Sequence, residues 1–141
     1  MANQVEMDQL YMDIAYRIAQ MSKATKKKVG AVIVKDGNIV SFGWNGMPRG
    51  FDNCCEYIND DGDLKTRPEV VHAEQNAIAK AAKGTIPIDG ATIYITYSPC
   101  WNCAGSIMQS GISRVVYDDK WEDESIDYVI KAGIEIIKIK D

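Results

Sequence analysis

The sequence lacks the features that mark several common classes of protein. It has no surplus of positive charge, since 16 Lys and Arg stand against 20 Asp and Glu for a formal net charge of -4, whereas a general nucleic-acid binder carries a basic surface. No apolar run approaches the roughly 20 residues that a bilayer crossing needs. The first residues, MANQVEMDQLYMD, carry acids where a secretory signal has basic and then apolar residues. We therefore expect a cytoplasmic protein with no membrane partner and no nucleic-acid partner.

Histidine and cysteine are scarce, which narrows the possible metal chemistry. His72 is the single histidine, and there are four cysteines. In a reducing compartment, cysteine spacing indicates metal binding before disulfide pairing. Cys100 and Cys103 have such a spacing, whereas we interpret the neighbouring Cys54 and Cys55 as reduced, partly packed thiols.

The rest of the composition is ordinary for one globular domain. The 141 residues are 46% hydrophobic and 26% charged, a balance typical of a chain with a single core. No internal repeat, low-complexity tract or flexible linker divides the sequence. We therefore predict a single domain over residues 1–141.

Hydrophobic periodicity predicts the elements of the first half. Apolar residues at i, i+3 and i+4 spacing predict an amphipathic helix over residues 5–21. Two β-rich runs at residues 29–35 and 38–44 flank an Asp-Gly dipeptide, which is preferred in tight hairpin turns, so they should pair antiparallel. Residues 46–68 are rich in Gly, Asp and Asn and predict a long irregular loop, which in a compact domain is usually functional or disordered.

Helix and strand patterns alternate in the second half. The predicted helices cover residues 71–83, 101–109 and 123–132, and the predicted strands cover residues 92–97, 114–117 and 134–139. The element order αββαβαβαβ is typical of an α/β protein, here a three-layer α/β/α fold with a five-stranded mixed sheet. Strands joined by helices can run parallel. Ligands of such sheets gather at the carboxyl ends of the strands.

Two short motifs at predicted helix starts indicate a catalytic metal site. His72 and Glu74 begin one helix in the pattern H-x-E, and Cys100 and Cys103 begin another in the pattern C-x-x-C. One imidazole and two thiolates suit Zn²⁺ and leave a fourth position open for water, as catalytic sites do. The N-terminus of a helix also lowers the pKa of a thiol. Glu74 is beside the ion without having to coordinate it, so we predict that it accepts and donates protons.

Each motif alone has a simpler interpretation. A lone histidine is more often a hydrogen-bonded core or surface residue than a ligand, and C-x-x-C can be a redox pair or half of a structural zinc site. H-x-E with a downstream P-C-x-x-C is, however, the signature of zinc-dependent nucleobase deaminases. It predicts hydrolytic deamination, in which water attacks an amidine-like carbon and ammonia leaves.

Five segments resemble the cytidine deaminase-like superfamily, and within it the deoxycytidylate deaminases. The metal motifs are common to the superfamily, whereas the segments GWNGMPRG and DKW are similar to the nucleotide enzymes in particular. The segments are VGAVIV at residues 29–34, GWNGMPRG at 43–50, HAEQNAI at 72–78, SPCWNCA at 98–104 and DKW at 119–121.

The resemblance implies a role for each matched residue in the conversion of dCMP to dUMP. Glu74 would be the proton shuttle, and the zinc ligands would be His72, Cys100 and Cys103. Lys120 would approach the 5′-phosphate of dCMP. The full set of substrate contacts would be Asn45, Ala73, Ser98, Lys120 and Trp121, the last packing beside the base.

The resemblance also implies regulation and assembly. Members of the family are typically hexamers that dCTP activates and that dTTP inhibits, with Mg²⁺ accompanying the effector triphosphate. The densest positive charge near the glycine-rich loop would supply the effector contacts, with the ordinary alternative of a solvated basic turn. These candidates are Lys26, Lys28, Gly46 and Arg49, with Lys27 in the same run of lysines. The role of residues 51–67 is left open.

Three other functions compete with this hypothesis. A tRNA adenosine deaminase shares the metal motif but must bind a polyanion, which the net charge of -4 disfavours. A deaminase of free cytosine or cytidine is a second alternative. A zinc-stabilised binding module is the third, and it would require a fourth protein ligand from a carboxylate, Cys54 or Cys55.

Overall fold

The computed structural model describes residues 2–120 and 125–139. The described residues form four helices and seven strands. The helices are α1 (Gln4–Ala19), α2 (Ala73–Ala82), α3 (Trp101–Gln109) and α4 (Ser125–Lys131). The strands are β1 (Gly30–Lys35), β2 (Asn38–Trp44), β3 (Glu56–Ile58), β4 (Leu64–Thr66), β5 (Thr92–Tyr97), β6 (Arg114–Asp119) and β7 (Glu135–Lys138). Among these residues, no helix has the length and apolar character that a membrane crossing demands.

Five strands form one mixed sheet in the order β2-β1-β5-β6-β7. Strand β1 is antiparallel to β2 and to β5, whereas β5, β6 and β7 run parallel. Asp36 and Gly37 have φ angles of 52° and 78° in the β1–β2 turn, as a type I′ hairpin turn requires. The predicted hairpin, the mixed sheet and the parallel order of its last three strands are confirmed.

Helices cover both faces of this sheet, which confirms the three-layer prediction. On one face, α1 packs Tyr11, Met12 and Ala15 against Val32 and Tyr94 of the central strands. On the other face, the core joins buried residues of α2, α3 and α4 to β1, β5 and β6. Strands buried on both faces carry apolar side chains at nearly every position, and β1 has this composition.

Two glycines bring helices unusually close to the sheet. A Cβ atom on Gly30 would lie 2.0 Å from the carbonyl oxygen of Ala15 in α1, and one on Gly43 would lie 2.6 Å from the carbonyl oxygen of Ala73 in α2. Any larger residue at either position would have to displace helix backbone. The second contact matters for function, because it sets the height of the N-terminus of α2 above the sheet.

A buried ion pair fixes α1 to the sheet. Asp8 accepts two hydrogen bonds from Arg114 of β6, at 2.9 Å to Oδ1 and 2.6 Å to Oδ2. The hydroxyl of Tyr94 donates to Asp8 at 2.6 Å, and Gln4 donates at 2.8 Å. Bidentate arginine–carboxylate pairs add geometric specificity as well as free energy. This group therefore determines how α1 lies across β5 and β6.

The segment at residues 46–68 is not irregular throughout, and that part of the prediction is wrong. It contains an antiparallel hairpin in which Glu56–Ile58 pairs with Leu64–Thr66. Five of its six strand residues are exposed, so the hairpin shows none of the alternation between apolar and polar residues on which strand prediction depends. The backbone N–H of Arg67 closes the base of the hairpin by donating to the carbonyl of Cys55 at 2.8 Å.

Most other differences from the predicted boundaries are small. Helix α1 ends at Ala19, before the predicted residue 21, and α2 begins at Ala73 because His72 is extended. Strand β5 has the predicted bounds, β6 continues to Asp119, and β7 is shorter than predicted. Residues 123 and 124 of the last predicted helix lie outside the described residues.

Candidate metal centre and substrate cleft

The three predicted metal ligands come from the first residues of two helices. His72 is the N-cap of α2, with φ -73° and ψ 158°, and Cys100 is the N-cap of α3, with φ -73° and ψ 173°. Cys103 lies in the first turn of α3 and is fully buried. The backbone N–H of His72 donates to Oε1 of Gln75 at 3.0 Å. This bond fixes the main chain at the residue that carries the imidazole.

The ligand atoms converge on one point. Nδ1 of His72 lies 3.2 Å from Sγ of Cys103 and 3.4 Å from Sγ of Cys100, and all three ligand atoms lie within 4.8 Å of one another. Donors bound tetrahedrally to zinc at ordinary Zn–N and Zn–S lengths are about 3.6 Å apart. The donor set and its spacing therefore fit Zn²⁺.

The group has the composition of an open site. Among residues 2–120 and 125–139, no fourth His, Cys, Asp or Glu joins this cluster. Three protein ligands leave one coordination position for water or substrate, as in catalytic zinc sites. This observation disfavours the zinc-stabilised binding module, which needs a closed set of four.

Hydrogen bonds distribute the protons of the two thiols unequally. The hydrogen bond from the Cys103 thiol, together with one from His72 and one from a backbone N–H, lowers the pKa of Cys100 to about 4 despite its partial burial. The same bond to Cys100, with burial, raises the pKa of Cys103. The hydrogen bond to Cys100 raises the pKa of His72, while burial opposes it. A metal ion binds these groups as thiolates and neutral imidazole, so its binding releases protons.

Glu74 lies in the first turn of α2, one residue inside the helix start. Its side chain is almost fully enclosed, with 4% of the residue exposed. Burial raises the pKa of Glu74 to about 7, although a backbone hydrogen bond and the nearby His72 act in the opposite direction. A carboxyl group with this pKa both accepts and donates protons readily at neutral pH.

A cleft of about 470 Å³ opens at this centre. Its volume lies in the range usual for small-molecule sites. His72, Glu74 and Cys100 line this cleft, and so do Lys26 and Lys27. The remaining lining residues are Ala24, Val29, Asn45, Cys55, Glu56, Thr66, Val70 and Ala73.

Asn45 lies in the cleft wall, but its amide is bonded to the main chain. Nδ2 donates to the carbonyl of Lys27 at 2.8 Å, and Oδ1 accepts from the N–H of Val29 at 2.9 Å. Asn45 therefore holds the basic segment, which we define as residues 25–28, against the end of β2. A direct contact between Asn45 and substrate stays a prediction.

The other predicted substrate residues are dispersed. Ala73 lines the cleft. Ser98 is buried, and its N–H donates to the carbonyl of Asp119 at 2.8 Å. Lys120 is exposed, its N–H donates to Oδ1 of Asp119 at 2.8 Å, and it is not among the described residues that line the cleft. Trp121 lies outside the described residues.

The four predicted effector contacts do not form one cluster in the structure. Lys26 lines the cleft itself. Lys28 and Arg49 are exposed and are not among the described lining residues. Gly46 forms an antiparallel bridge with Val71, with N–O distances of 3.1 Å and 2.8 Å. In this arrangement Gly46 connects the loop after β2 to the start of α2.

Two cleft residues were not among the predicted substrate contacts. Lys27 lines the cleft, and its ammonium group lies 4.8 Å from the centre of the Tyr97 ring. Glu56 is 8% exposed and accepts backbone hydrogen bonds from the basic segment. No local pattern links Glu56 to residues 31 positions earlier, so only a long-range contact could reveal it. All four cysteines are free; Cys55 is buried, as predicted for a packed thiol, whereas Cys54 is exposed.

Comparison with known protein sequences agrees with this geometry. The family described as the cytidine and deoxycytidylate deaminase zinc-binding region matches residues 5–118. Deoxycytidylate deaminase of Enterobacteria phage T4 is 35% identical over 168 residues, covering 91% of this chain and 87% of that protein. Human deoxycytidylate deaminase is 37% identical over 127 residues, covering 84% of this chain and 68% of that protein.

Solved structures show the same fold. The dCMP deaminase of cyanophage S-TIM5, in complex with dCMP and dUMP, superposes with a TM-score of 0.89 and 41% identity, covering 98% of this chain and 99% of that one. A structure from studies of tRNA:A34 deaminases has a TM-score of 0.65 at 21% identity, a likeness that shows the fold alone. With its open His-Cys-Cys centre, its buried carboxyl group and its match over most of the sequence, the chain belongs to the cytidine and deoxycytidylate deaminase family of zinc-dependent nucleotide deaminases.

Proposed function

We propose that this chain hydrolyses dCMP to dUMP and ammonia at the cleft between α2 and the basic segment. The observation that carries the proposal is the convergence of His72, Cys100 and Cys103 beside the buried Glu74, with two lysines lining the same cleft. Similarity to deaminases that act on dCMP supports the choice of substrate.

The three ligands would hold Zn²⁺, and Glu74 would move the protons. When bound, zinc acts as a Lewis acid that acidifies the attacking water. Two thiolates neutralise most of the charge of the ion, so a separate proton acceptor is needed. Glu74 takes one proton from water as the oxygen attacks C4 of cytosine and gives it to N3. It then takes the second proton from the hydroxyl group on C4 and gives it to the amino group, which leaves as ammonia while the C4 carbonyl forms. Water is consumed, and one C–N bond is exchanged for a C–O bond.

The 5′-phosphate of dCMP requires positive charge away from the reacting ring. Lys26 and Lys27 line the same cleft as the metal ligands, and we propose them as the phosphate contacts. Lys120, the contact implied by the family resemblance, is the alternative. A nucleoside without phosphate would lose these interactions, so the same lysines would select the monophosphate.

Alanine variants distinguish the two assignments. We expect Lys26→Ala and Lys27→Ala each to raise KM for dCMP by about tenfold, the loss of one charge-assisted contact, and to leave KM for deoxycytidine within about twofold. Lys65→Ala, an exposed lysine of β4, is the matched control. If only Lys120→Ala raises KM for dCMP selectively, Lys120 is the phosphate contact and the two cleft lysines are not.

A substrate panel tests the proposed function. Zinc-loaded protein is incubated with dCMP, deoxycytidine, free cytosine, dCTP and a tRNA containing the target adenosine, and ammonia release is measured. We expect dCMP to have the highest kcat/KM. Faster turnover of tRNA, or release of ammonia from none of these substrates, would contradict the proposal.

Assembly, regulation and location are further proposals that rest on the family resemblance. We propose a cytoplasmic homo-oligomer, a hexamer, that dCTP activates and dTTP inhibits with Mg²⁺, through Lys28, Gly46 and Arg49. Lys26, the fourth effector contact that the family resemblance implies, is assigned to the substrate phosphate instead, because it lines the cleft. Light scattering measures the mass of the assembly. Initial rates with dCMP, with and without each triphosphate, measure the regulation, and rates that neither triphosphate changes would contradict it.

A further inference from the structure

We propose that Glu56 is a positioning residue that sets the preference of the cleft for a phosphorylated nucleotide by fixing the main chain of the basic segment. The inference rests on the proposed function and deepens it, because it concerns the same cleft. Glu56 acts through Lys26 and Lys27 and does not contact the phosphate.

The carboxylate of Glu56 is committed to backbone groups. Its Oε2 accepts from the N–H of Thr25 at 3.0 Å and from the N–H of Lys26 at 3.2 Å. The residue is 8% exposed. A buried carboxylate that accepts two N–H groups makes strong, charge-assisted hydrogen bonds. These two bonds fix the orientation of two successive peptide groups, the second of which adjoins the Cα atom of Lys26.

The hairpin that carries Glu56 is a firm support. Glu56 pairs with Thr66 across β3 and β4, and the N–H of Arg67 bonds to the carbonyl of Cys55 at 2.8 Å. The side chain of Cys55 is 1% exposed and belongs to a small core with Ala24 and Val70. Ala24 directly precedes the basic segment. Apolar packing and hydrogen bonds therefore attach the hairpin to the same stretch of backbone.

A second support holds the other end of the basic segment. Asn45 bonds to the carbonyl of Lys27 and to the N–H of Val29, as described above. The segment is thus fixed by Glu56 at its start and by Asn45 at its end. Lysine side chains are long and flexible, so a fixed backbone reduces the conformational freedom that phosphate binding would otherwise have to remove.

The charge of Glu56 excludes a direct role in binding phosphate. A carboxylate and a phosphate repel each other, and Oε2 already accepts two hydrogen bonds. Both anions instead use the same segment, the carboxylate through backbone N–H groups and the phosphate through side-chain ammonium groups. The position of one oxygen atom should therefore matter more than the charge of the residue.

Two conservative variants separate position from charge. Glu56→Gln removes the charge and keeps an acceptor oxygen on a side chain of the same length. Glu56→Asp keeps the charge but shortens the side chain by one methylene, so the oxygen lies farther from the two N–H groups. Glu69→Asp, at an exposed position, is the matched control. Dissociation constants of dUMP and of deoxyuridine are measured by calorimetry on zinc-loaded protein, with zinc content as the check of the metal centre. KM and kcat for dCMP are measured in parallel.

We expect Glu56→Asp to raise the dissociation constant of dUMP by about tenfold. The dissociation constant of deoxyuridine, the zinc content and kcat should stay within about twofold of the wild type. Glu56→Gln should bind dUMP within about threefold of the wild type. Equal weakening of dUMP binding and deoxyuridine binding overturns this inference and leaves the proposed function standing. A strong loss of dUMP affinity in Glu56→Gln with none in Glu56→Asp has the same consequence. A wild-type protein that binds dUMP no better than deoxyuridine overturns the phosphate site, and with it both the inference and the substrate assignment.

Discussion

At the scale of single residues, the surroundings of Glu74 determine the chemistry available to it. The carboxyl group is buried next to the metal ligands, and this burial raises its pKa to about 7. An exposed glutamate would be almost entirely ionised at neutral pH and a weak proton donor. The helix start that brings His72 to the centre also brings Glu74 there, so one turn of α2 supplies both a ligand and a proton shuttle.

Glu74→Gln tests this role directly. The amide fills the same space but can neither accept nor release a proton at this step, so we expect kcat for dCMP to fall by about 10² to 10⁴-fold with zinc retained at one ion per chain. Metal analysis and steady-state rates provide the two measurements, and Glu69→Gln is the surface control. Turnover at the wild-type rate would show that another group moves the proton.

At the scale of elements, the attachment of α1 depends on a group that titrates in acid. Burial alone would raise the pKa of Asp8, but hydrogen bonds from Arg114, Tyr94 and Gln4 and the charge of Arg114 together hold it below its ordinary value of 3.8. A carboxyl group whose pKa is lower in the folded state stabilises the fold above its unfolded pKa. This contribution is lost as the pH falls through the folded pKa.

We therefore expect the pH dependence of stability to change in Asp8→Asn. At pH 7 the variant leaves Arg114 without its partner and should lose about 3 kcal/mol of unfolding free energy. The difference from the wild type should shrink as the pH falls below about 4. Urea unfolding at a series of pH values measures it, with the exposed Asp13→Asn of the same helix as control. A difference that stays constant down to pH 2 would contradict the role of Asp8.

The close contact at Gly43 connects the packing of α2 to the metal centre. We expect Gly43→Ala to displace the start of α2, to lower stability by about 2 kcal/mol and to weaken zinc binding. Gly105→Ala is the matched control, because a Cβ there meets no atom within 4 Å, and alanine in a helix should stabilise by about 0.5–1 kcal/mol. Thermal unfolding and zinc competition with a chelator measure both effects. Unchanged zinc affinity in Gly43→Ala would separate this contact from the site.

The elements that the sequence predicted well are those with strong local signals. Strands β1 and β5 are buried apolar runs, and the Asp-Gly turn that joins β1 to β2 is a specific hairpin signal. The β3–β4 hairpin escaped prediction because each strand has three residues and nearly all of them face solvent. Its stability comes from contacts with residues distant in sequence, which local propensity does not report.

The metal centre was predictable for the same reason, and the substrate end was not. His72, Glu74, Cys100 and Cys103 lie in two short motifs with fixed spacing, and the structure brings the three ligand atoms together. The grouping of the basic segment, Asn45 and Glu56 depends instead on how a loop, a strand end and a hairpin meet. A run of lysines in the sequence looks the same whether it faces solvent or a cleft.

At the scale of the whole molecule, zinc would connect two helices that the chain places on the same face of the sheet. A ligand that binds the folded state at 100 times its dissociation constant adds about 2.7 kcal/mol of stability, roughly 10 °C in Tm for a chain of this size. We expect a strong chelator to lower the Tm of the wild type by this amount. Cys103→Ala should already have the lower Tm and should not respond to the chelator.

Cys55→Ala is the control for this experiment, because Cys55 is also a buried free cysteine but lies outside the ligand group. It should lose some packing and keep the full response to the chelator. Stoichiometric zinc in Cys103→Ala, or a wild-type Tm that the chelator does not change, would contradict the ligand assignment.

The glycine contacts of the two helix layers also determine where such a protein can diversify. With Gly30 and Gly43 touching helix backbone, any substitution at these layer contacts disturbs the architecture before it alters specificity. The basic segment lines the cleft and is held by two hydrogen bonds to Glu56 of the small hairpin and by another from Asn45. Laboratory evolution toward a new nucleotide should therefore collect its useful mutations in these cleft segments and leave the glycine contacts between the sheet and its helices unchanged.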